Sequence, residues 1–283
     1  MKTLYIHIGY GKTGTTFIQT FFYKNHKKID NFYYPIPKKN FTRHLQLSSI
    51  NKPSFDKREW IKIKDEIDNI NDNKILISSE EFIYDKKFHE NFNFVKELFS
   101  NYQIKIIVTV NNYLDMIYKS YLEFIKKYDN KYACNNIYKF IDKFQNNFQH
   151  KELDKFKNFF ENVSLIFYSK DNLLQDFCKI LEIELPENVE SVGKLNPSIG
   201  IEYSSFLEKL FDSKIPKSEY LEIVHNILRK KNLEKYDFDF SKFSTIELDN
   251  YRNRLVNDIK QYIDEKHPNI PKSYYEKILG RDN

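Results

Sequence analysis

"IHIGYGKTGTT", residues 6–16, places three glycines, one lysine and three threonines directly behind a short apolar run. Glycine lets a backbone approach an anion closely. A helix opening just after such a turn adds free N–H groups and the positive end of its dipole. The fold follows from the same stretch. "TLYIHIG" over 3–9 predicts a buried strand, and "TTFIQTFFYKNHKK" over 15–28 predicts a helix. The same alternation continues outward. "KILISS" at 74–79, "IKIIVTV" at 104–110 and "VSLIFYS" at 163–169 are further strand-like runs. Helical patterns follow two of them, "YLDMIYKSYLEFIKKY" at 113–128 and "KDNLLQDFCKILEI" at 170–183. Strands alternating with helices predict an α/β fold, a parallel sheet flanked by helices with right-handed crossovers. Beyond about residue 198 the segments "SIGIEYSSFLEKLF", "SEYLEIVHNILRKKN" and "STIELDNYRNRLVNDIKQYIDEK" read as helices. With no repeat and no long linker, residues 1–283 read as a single domain: an α/β core over 1–190 and a helical C-terminal extension over 191–283.

The turn fits three phosphate-binding vocabularies unequally. A Walker A loop needs glycine five positions before the Gly-Lys-Thr of Gly11-Lys12-Thr13, and that position is Ile6. No Asp closes a later strand as a magnesium ligand, since "IKIIVTV" runs into Asn111 and Asn112. Gly9-x-Gly11-x-x-Gly14 matches a dinucleotide fingerprint, with Asp30 sixteen residues beyond Gly14. A long Lys12 fits poorly there, however, and "KNHKKI" makes a poor second buried strand. The third vocabulary is metal-free. Lys12, Thr13, Gly14, Thr15 and Thr16 converge amides, two hydroxyls and an ammonium at one helix start, a nest for a 5′-phosphate that carries a transferable group.

On those residues "HIGYGKTGTTFIQ" resembles the 5′-phosphosulfate loop of sulfotransferases that use 3′-phosphoadenylyl sulfate (PAPS). The bacterial carbohydrate-type members are most similar. Their second element is a strand, an Arg, and a Ser eight residues later for the 3′-phosphate; here Asn112 (or Asn111 under a one-residue shift) holds the Arg position and Ser120 the Ser position. An amide cannot offer the bidentate cationic fork of a guanidinium, so Arg43 or Lys119 would have to compensate. The later segments "SLIFYSKDNLLQDFCKILEI", "NPSIGIEYSSFLEKL" and "FSTIELDNYRNRLVNDIKQYI" are similar to the family's in the same order, and residues 17–70 match least.

The resemblance implies the P-loop-like sulfotransferase fold and sulfuryl transfer from PAPS to a carbohydrate hydroxyl. It leaves adenosine 3′,5′-bisphosphate as product. Gly11, Lys12, Thr13, Gly14, Thr15, Thr16, Asn112 and Ser120 would bind the donor, and Lys12 would neutralise charge on the leaving oxygen. A hydroxyl acceptor needs a general base, and two candidates stand open: His44 in "FTRHLQL" and Glu80 in "SSEEF". His7 reads instead as a strand histidine satisfied by a neighbour. The alternatives are a nucleotide-dependent kinase and a non-catalytic adenosine-bisphosphate-binding protein.

Composition narrows the partners. Net charge is +5, but 45 basic residues face 40 acidic ones, and the Lys doublets at 27, 38, 86 and 126 are dispersed rather than striped, against nucleic acid as the partner. Aromatic content of 17% comes with abundant Lys, Asn and Ile, a bias that an A/T-rich genome produces by itself. Cys134 and Cys178 form no CxxC pair, and the histidines show no metal spacing, so neither a disulfide framework nor a metal is expected. Lacking a signal-peptide pattern or a membrane-length apolar run, the chain is expected to be cytoplasmic, with peripheral membrane contact compatible.

Overall fold

The structure, a computed structural model, describes residues 1–37, 42–47, 56–85, 87–111, 113–128, 140, 151–193, 207, 210–211 and 213–230. In chain order these carry β1 (Thr3–Gly9), α1 (Thr15–Asn25), β2 (Phe32–Tyr33), α2 (Lys57–Asp68), β3 (Lys74–Ser78), α3 (Phe88–Leu98), β4 (Gln103–Val110), α4 (Tyr113–Lys126), α5 (Lys151–Phe159), β5 (Val163–Phe167), α6 (Leu173–Leu181) and α7 (Lys217–Lys230). The chain groups into two compact units, Met1–Val110 with Lys151–Leu195, and Asn111–His150 with Asn196–Asn283.

The first unit holds a five-stranded parallel sheet in the order β2-β3-β1-β4-β5, flanked by helices, which is the α/β architecture that the apolar runs predict. The runs are continuous rather than alternating because the central strands are covered on both faces. Leu4, Ile6 and Ile8 on one face are fully buried, and so are Tyr5 and His7 on the other. Tyr5, Leu76, Ile107 and Ile166 pack with Ile18, Phe21 and Phe22 of α1 and with Leu173, Phe177 and Leu181 of α6. Each such side chain contributes about 2 kcal/mol by leaving water. α2 and α3 are joined through Trp60, whose ring lies 6.1 Å from that of Phe99 and 5.9 Å from that of Phe82. α2 is capped by Asp56, which accepts from the Arg58 amide at 3.1 Å.

The edge strand β2 was not legible as a strand. Its two residues pair with Lys74 and Ile75 of β3, and Phe32 packs on Phe22 with ring centroids 5.0 Å apart. Two residues carry no periodicity, so pairing and packing create the strand.

In the second unit α4 and α7 fall where the helical patterns place them, and the Tyr220 hydroxyl on α7 donates to the Ile125 carbonyl on α4 at 2.9 Å. No helix among the described residues is long and apolar enough to cross a membrane.

Candidate anion-binding and proton-transfer site

β1 delivers the chain to the carboxyl edge of the sheet, the edge where open α/β sheets hold ligands. Gly9 ends the strand under tight constraint: a Cβ there would sit 2.3 Å from Thr109 Oγ1 and 2.7 Å from Thr15 Cγ2. The turn that follows puts Lys12 at φ 69° and Gly14 at φ 74°, both left-handed. Glycine adopts that region freely, whereas lysine there costs about 1 kcal/mol. A cost of that kind at a turn is a reason to ask what the turn does.

Gly14 opens α1, and its carbonyl already accepts the Phe17 amide at 3.0 Å and the Ile18 amide at 3.2 Å. Among the described residues no main-chain hydrogen bond engages the amides of Thr13, Gly14, Thr15 or Thr16. They form the open donor arc of a helix start, and Lys12 stands at its entrance. Behind the arc, Gly14 packs so closely on Tyr168 and Leu173 that a Cβ would lie 2.7 and 2.5 Å from them.

The three threonine hydroxyls differ in what they do. Thr13 is fully buried and its hydroxyl closes the turn, donating to the Tyr10 carbonyl at 2.7 Å. Thr15 donates to Glu80 Oε1 at 2.7 Å. Thr16 is half-buried and makes no side-chain hydrogen bond among the described residues, so its hydroxyl can face a ligand. The sequence expectation that Thr15 and Thr16 both present hydroxyls to the anion therefore needs correcting for Thr15: its proton is committed to a carboxylate, and its amide is what it offers.

Glu80 follows β3 at the start of a 3-10 turn over Glu80–Tyr84. Its Oε2 lies 3.8 Å from where a Gly11 Cβ would be, so the carboxylate sits against the glycine turn. Arg43 reaches its Oε1 at 3.8 Å and Glu81 at 3.4 Å. Burial raises the Glu80 pKa and the Glu81 charge raises it further, against the Thr15 hydrogen bond, Arg43 and Lys12, which all favour the carboxylate; the net direction is upward. A carboxylate with a raised pKa beside a glycine turn is a better proton acceptor than an ordinary one. Arg43, left open as a ligand for the 3′-phosphate, is engaged with these two carboxylates.

His44 does not meet the requirement for a general base. It is fully buried against the Tyr34 ring, its Nδ1 accepts from the Ser78 amide at 3.0 Å, and its Nε2 donates to the Pro35 carbonyl at 2.9 Å. Both nitrogens are taken by main chain, and desolvation holds its pKa down at about 4. Its place is structural: it ties Pro35 to Ser78 at the end of β3.

His7 is likewise buried, with Nδ1 2.7 Å from Ser78 Oγ and Nε2 3.2 Å from Thr109 Oγ1, and desolvation lowers its pKa to about 3. It is the neighbour-satisfied strand histidine that the sequence suggests. Gln19, Ser78 and Thr109 were not singled out from the sequence. A signal was present, since His7, Ser78 and Thr109 each interrupt an apolar run at the end of a strand.

Asn112 lies outside the described residues. Ser120 is buried on α4, in the second unit. Cys134 also lies outside them, while Cys178 is a buried free thiol pushed up to about 11. Among the described residues no group of three or more His, Cys, Asp or Glu could hold a metal ion.

No family model matches the chain, and no curated protein matches it. Among solved structures it is similar to mouse sulfotransferase SULT7A1, crystallised in complex with PAP, at 14% identity and a TM-score of 0.44, covering 94% of this chain and 89% of that one. It is also similar to a fungal RNA kinase at 15% identity and a TM-score of 0.32, covering 76% of this chain and 100% of that one. Both scores lie below one half, and the chemistry of the site rests on its own residues.

Proposed function

We propose that this chain is a sulfotransferase that moves a sulfuryl group from PAPS to a hydroxyl, with a carbohydrate or glycan precursor as acceptor. The single observation that carries the reading is the juxtaposition at β1 and β3: an open arc of amides from Thr13 to Thr16, Lys12 at its entrance, and the Glu80 carboxylate against the same turn.

The donor set suits a 5′-phosphosulfate. Main-chain N–H groups and a helix dipole hold an anion without a metal, and a lysine adds a point charge for oxygens that gain charge. When bound, PAPS supplies an activated sulfuryl group with a phosphate as its leaving group. Lys12 neutralises charge at that leaving oxygen, the amides orient the anion, and the Thr16 hydroxyl adds a donor. Glu80 takes the proton of the acceptor hydroxyl, while Thr15 holds its Oε1 in place. Asn112 and Ser120 are the proposed contacts for the 3′-phosphate, within one sulfotransferase domain spanning 1–283 (core 1–190, helical extension 191–283), and the enzyme is proposed to be cytoplasmic.

Radiolabelled PAPS incubated with the chain and the host's surface glycans tests transfer directly; no labelled product from any hydroxylated acceptor rejects the reading. Thermal shifts with adenosine 3′,5′-bisphosphate and with 5′-AMP test the donor pocket, and equal shifts would mean that the 3′-phosphate is not read. Binding without transfer would leave the non-catalytic bisphosphate-binding alternative.

One observation favours a second reading, a nucleotide-dependent kinase. Thr15 on the first helical turn is hydrogen-bonded to the acid just beyond β3, and P-loop phosphotransferases hold their magnesium with a hydroxyl and an acid of this kind. Magnesium-dependent loss of the ATP γ-phosphate would support it.

A further inference from the structure

Beneath the anion-binding turn runs a buried chain of side-chain hydrogen bonds that the proposed reaction does not use. Gln19 Nε2 lies 3.0 Å from Ser78 Oγ, and Ser78 Oγ lies 2.7 Å from His7 Nδ1. His7 Nε2 lies 3.2 Å from Thr109 Oγ1, which is 2.8 Å from Thr13 Oγ1, and Thr13 ends the chain on the Tyr10 carbonyl at 2.7 Å. All five side chains are at least nine-tenths buried.

The direction of every bond follows from its last member. A carbonyl only accepts, so the one Thr13 hydroxyl proton goes to Tyr10. Thr109 must then donate to Thr13, and its oxygen must accept from His7 Nε2–H. A neutral imidazole with a proton on Nε2 has a lone pair on Nδ1, so Ser78 donates there and in turn accepts from the Gln19 amide. Among the described residues the ring's recorded partners are Ser78, Thr109 and Phe177, whose ring stands at 86° to it with centroids 4.8 Å apart. His7 crosses from β3 to β4 through β1 and is the one member that turns an incoming proton donor at its δ position into an outgoing donor at its ε position.

We propose that His7 is a positioning residue for the anion-binding turn: as the neutral Nε2–H tautomer it aims the Thr109 hydroxyl at Thr13, and so sets the turn that carries Lys12 and the open amides. The inference rests on the sulfotransferase reading only for the identity of the ligand. The turn holds Lys12 at φ 69°, and the Thr13 bond across it to Tyr10 is what opposes relaxation. Losing the His7 arm frees Thr109 to rotate away from Thr13, and the amides are then organised at the moment of binding instead of beforehand.

Two substitutions separate the arms. His7→Gln carries an N–H at the ε position and keeps the bond to Thr109, whereas His7→Asn carries an acceptor at the δ position and keeps only Ser78. By calorimetry on the full chain, His7→Asn weakens adenosine 3′,5′-bisphosphate binding about tenfold and His7→Gln no more than about threefold, with similar urea midpoints for the two variants. Affinity losses that track the urea midpoint equally in both overturn the proposal, because core packing alone would do that. Nitrogen-15 spectra of the ligand-free protein are expected to show Nε2 protonated, Nδ1 unprotonated, and neither titrating between pH 5.5 and 8; the opposite tautomer overturns it. Should the wild type not bind adenosine 3′,5′-bisphosphate, the sulfotransferase reading fails, and backbone relaxation still decides on His7. Amides 12–16 become more mobile in His7→Asn than in His7→Gln if it positions the turn, and unchanged mobility rejects it.

Discussion

The hydroxyl of Thr15, on the first turn of α1, donates to Oε1 of Glu80 at 2.7 Å. The group that opens α1 therefore also orients the carboxylate just beyond the neighbouring strand β3. The proposed base and the proposed donor cradle thus share one hydrogen bond, and a disturbance of either is felt by the other.

Glu80→Gln keeps an oxygen for Thr15 but cannot take a proton. The variant is expected to lose about 10²–10⁴ in kcat while binding adenosine 3′,5′-bisphosphate within about threefold of wild type. Steady-state kinetics beside calorimetry read both, and an undiminished kcat removes Glu80 from the reaction.

Lys12 combines a charge with a left-handed backbone, and two substitutions pull these apart. Lys12→Gly keeps the turn at φ 69° without strain, whereas Lys12→Ala keeps the strain; both lose the ammonium. Both are expected to abolish transfer, with the glycine variant more stable than the alanine variant by about 1 kcal/mol in urea. Transfer surviving in Lys12→Gly would contradict the leaving-group role.

Arg43 favours the ionised form of Glu80, whose pKa burial has already raised. Arg43→Gln removes that help and raises the pKa further. The acid limb of the kcat profile should therefore move to higher pH, and a limb that stays in place or moves down would show that the limb belongs to another group.

His7 and His44 are held neutral in the folded state, at about 3 and about 4 against an ordinary 6.5. Unfolded chains bind these protons below pH 6.5 and the folded protein does not, so both contributions are complete above pH 6.5 and are lost as pH falls. Between pH 6 and pH 4.5 each histidine should cost about 1.4 kcal/mol of stability per pH unit. Urea titrations of wild type and His7→Gln over that range should differ in slope by about one proton; equal slopes would mean that His7 can be protonated in the fold.

Gly9→Ala would place a Cβ 2.3 Å from Thr109 Oγ1 and 2.7 Å from Thr15 Cγ2, where neither a strand nor a first helical turn can retreat. A loss of about 1–3 kcal/mol is expected from overpacking, read as a lower urea midpoint. An unchanged midpoint would show that β1 and α1 are less tightly coupled at the turn than they appear here.

The strand runs at 3–9, 74–79, 104–110 and 163–169 were legible because a parallel sheet covered on both faces demands unbroken apolar stretches, and chain-local patterns record that demand. The glycine turn and the helix behind it were legible because glycine spacing and helical periodicity are local too. The two-residue β2 was not, because it exists through its neighbours on β3 and α1.

Among the site residues, what the sequence by itself determined was the chemistry of the glycine turn, an ammonium and three hydroxyls, with His44 and Glu80 as candidate bases from elsewhere in the chain. What only the tertiary structure decided was which of them are already occupied. His44 bonds to main chain at Pro35 and Ser78, Thr15 to Glu80, and Thr13 to Tyr10 and Thr109. Most of those partners lie tens of residues away in the chain. Hydrogen-bonding capacity is finite at each atom, and the contacts that use it up are made across strands, where no local spacing can register them.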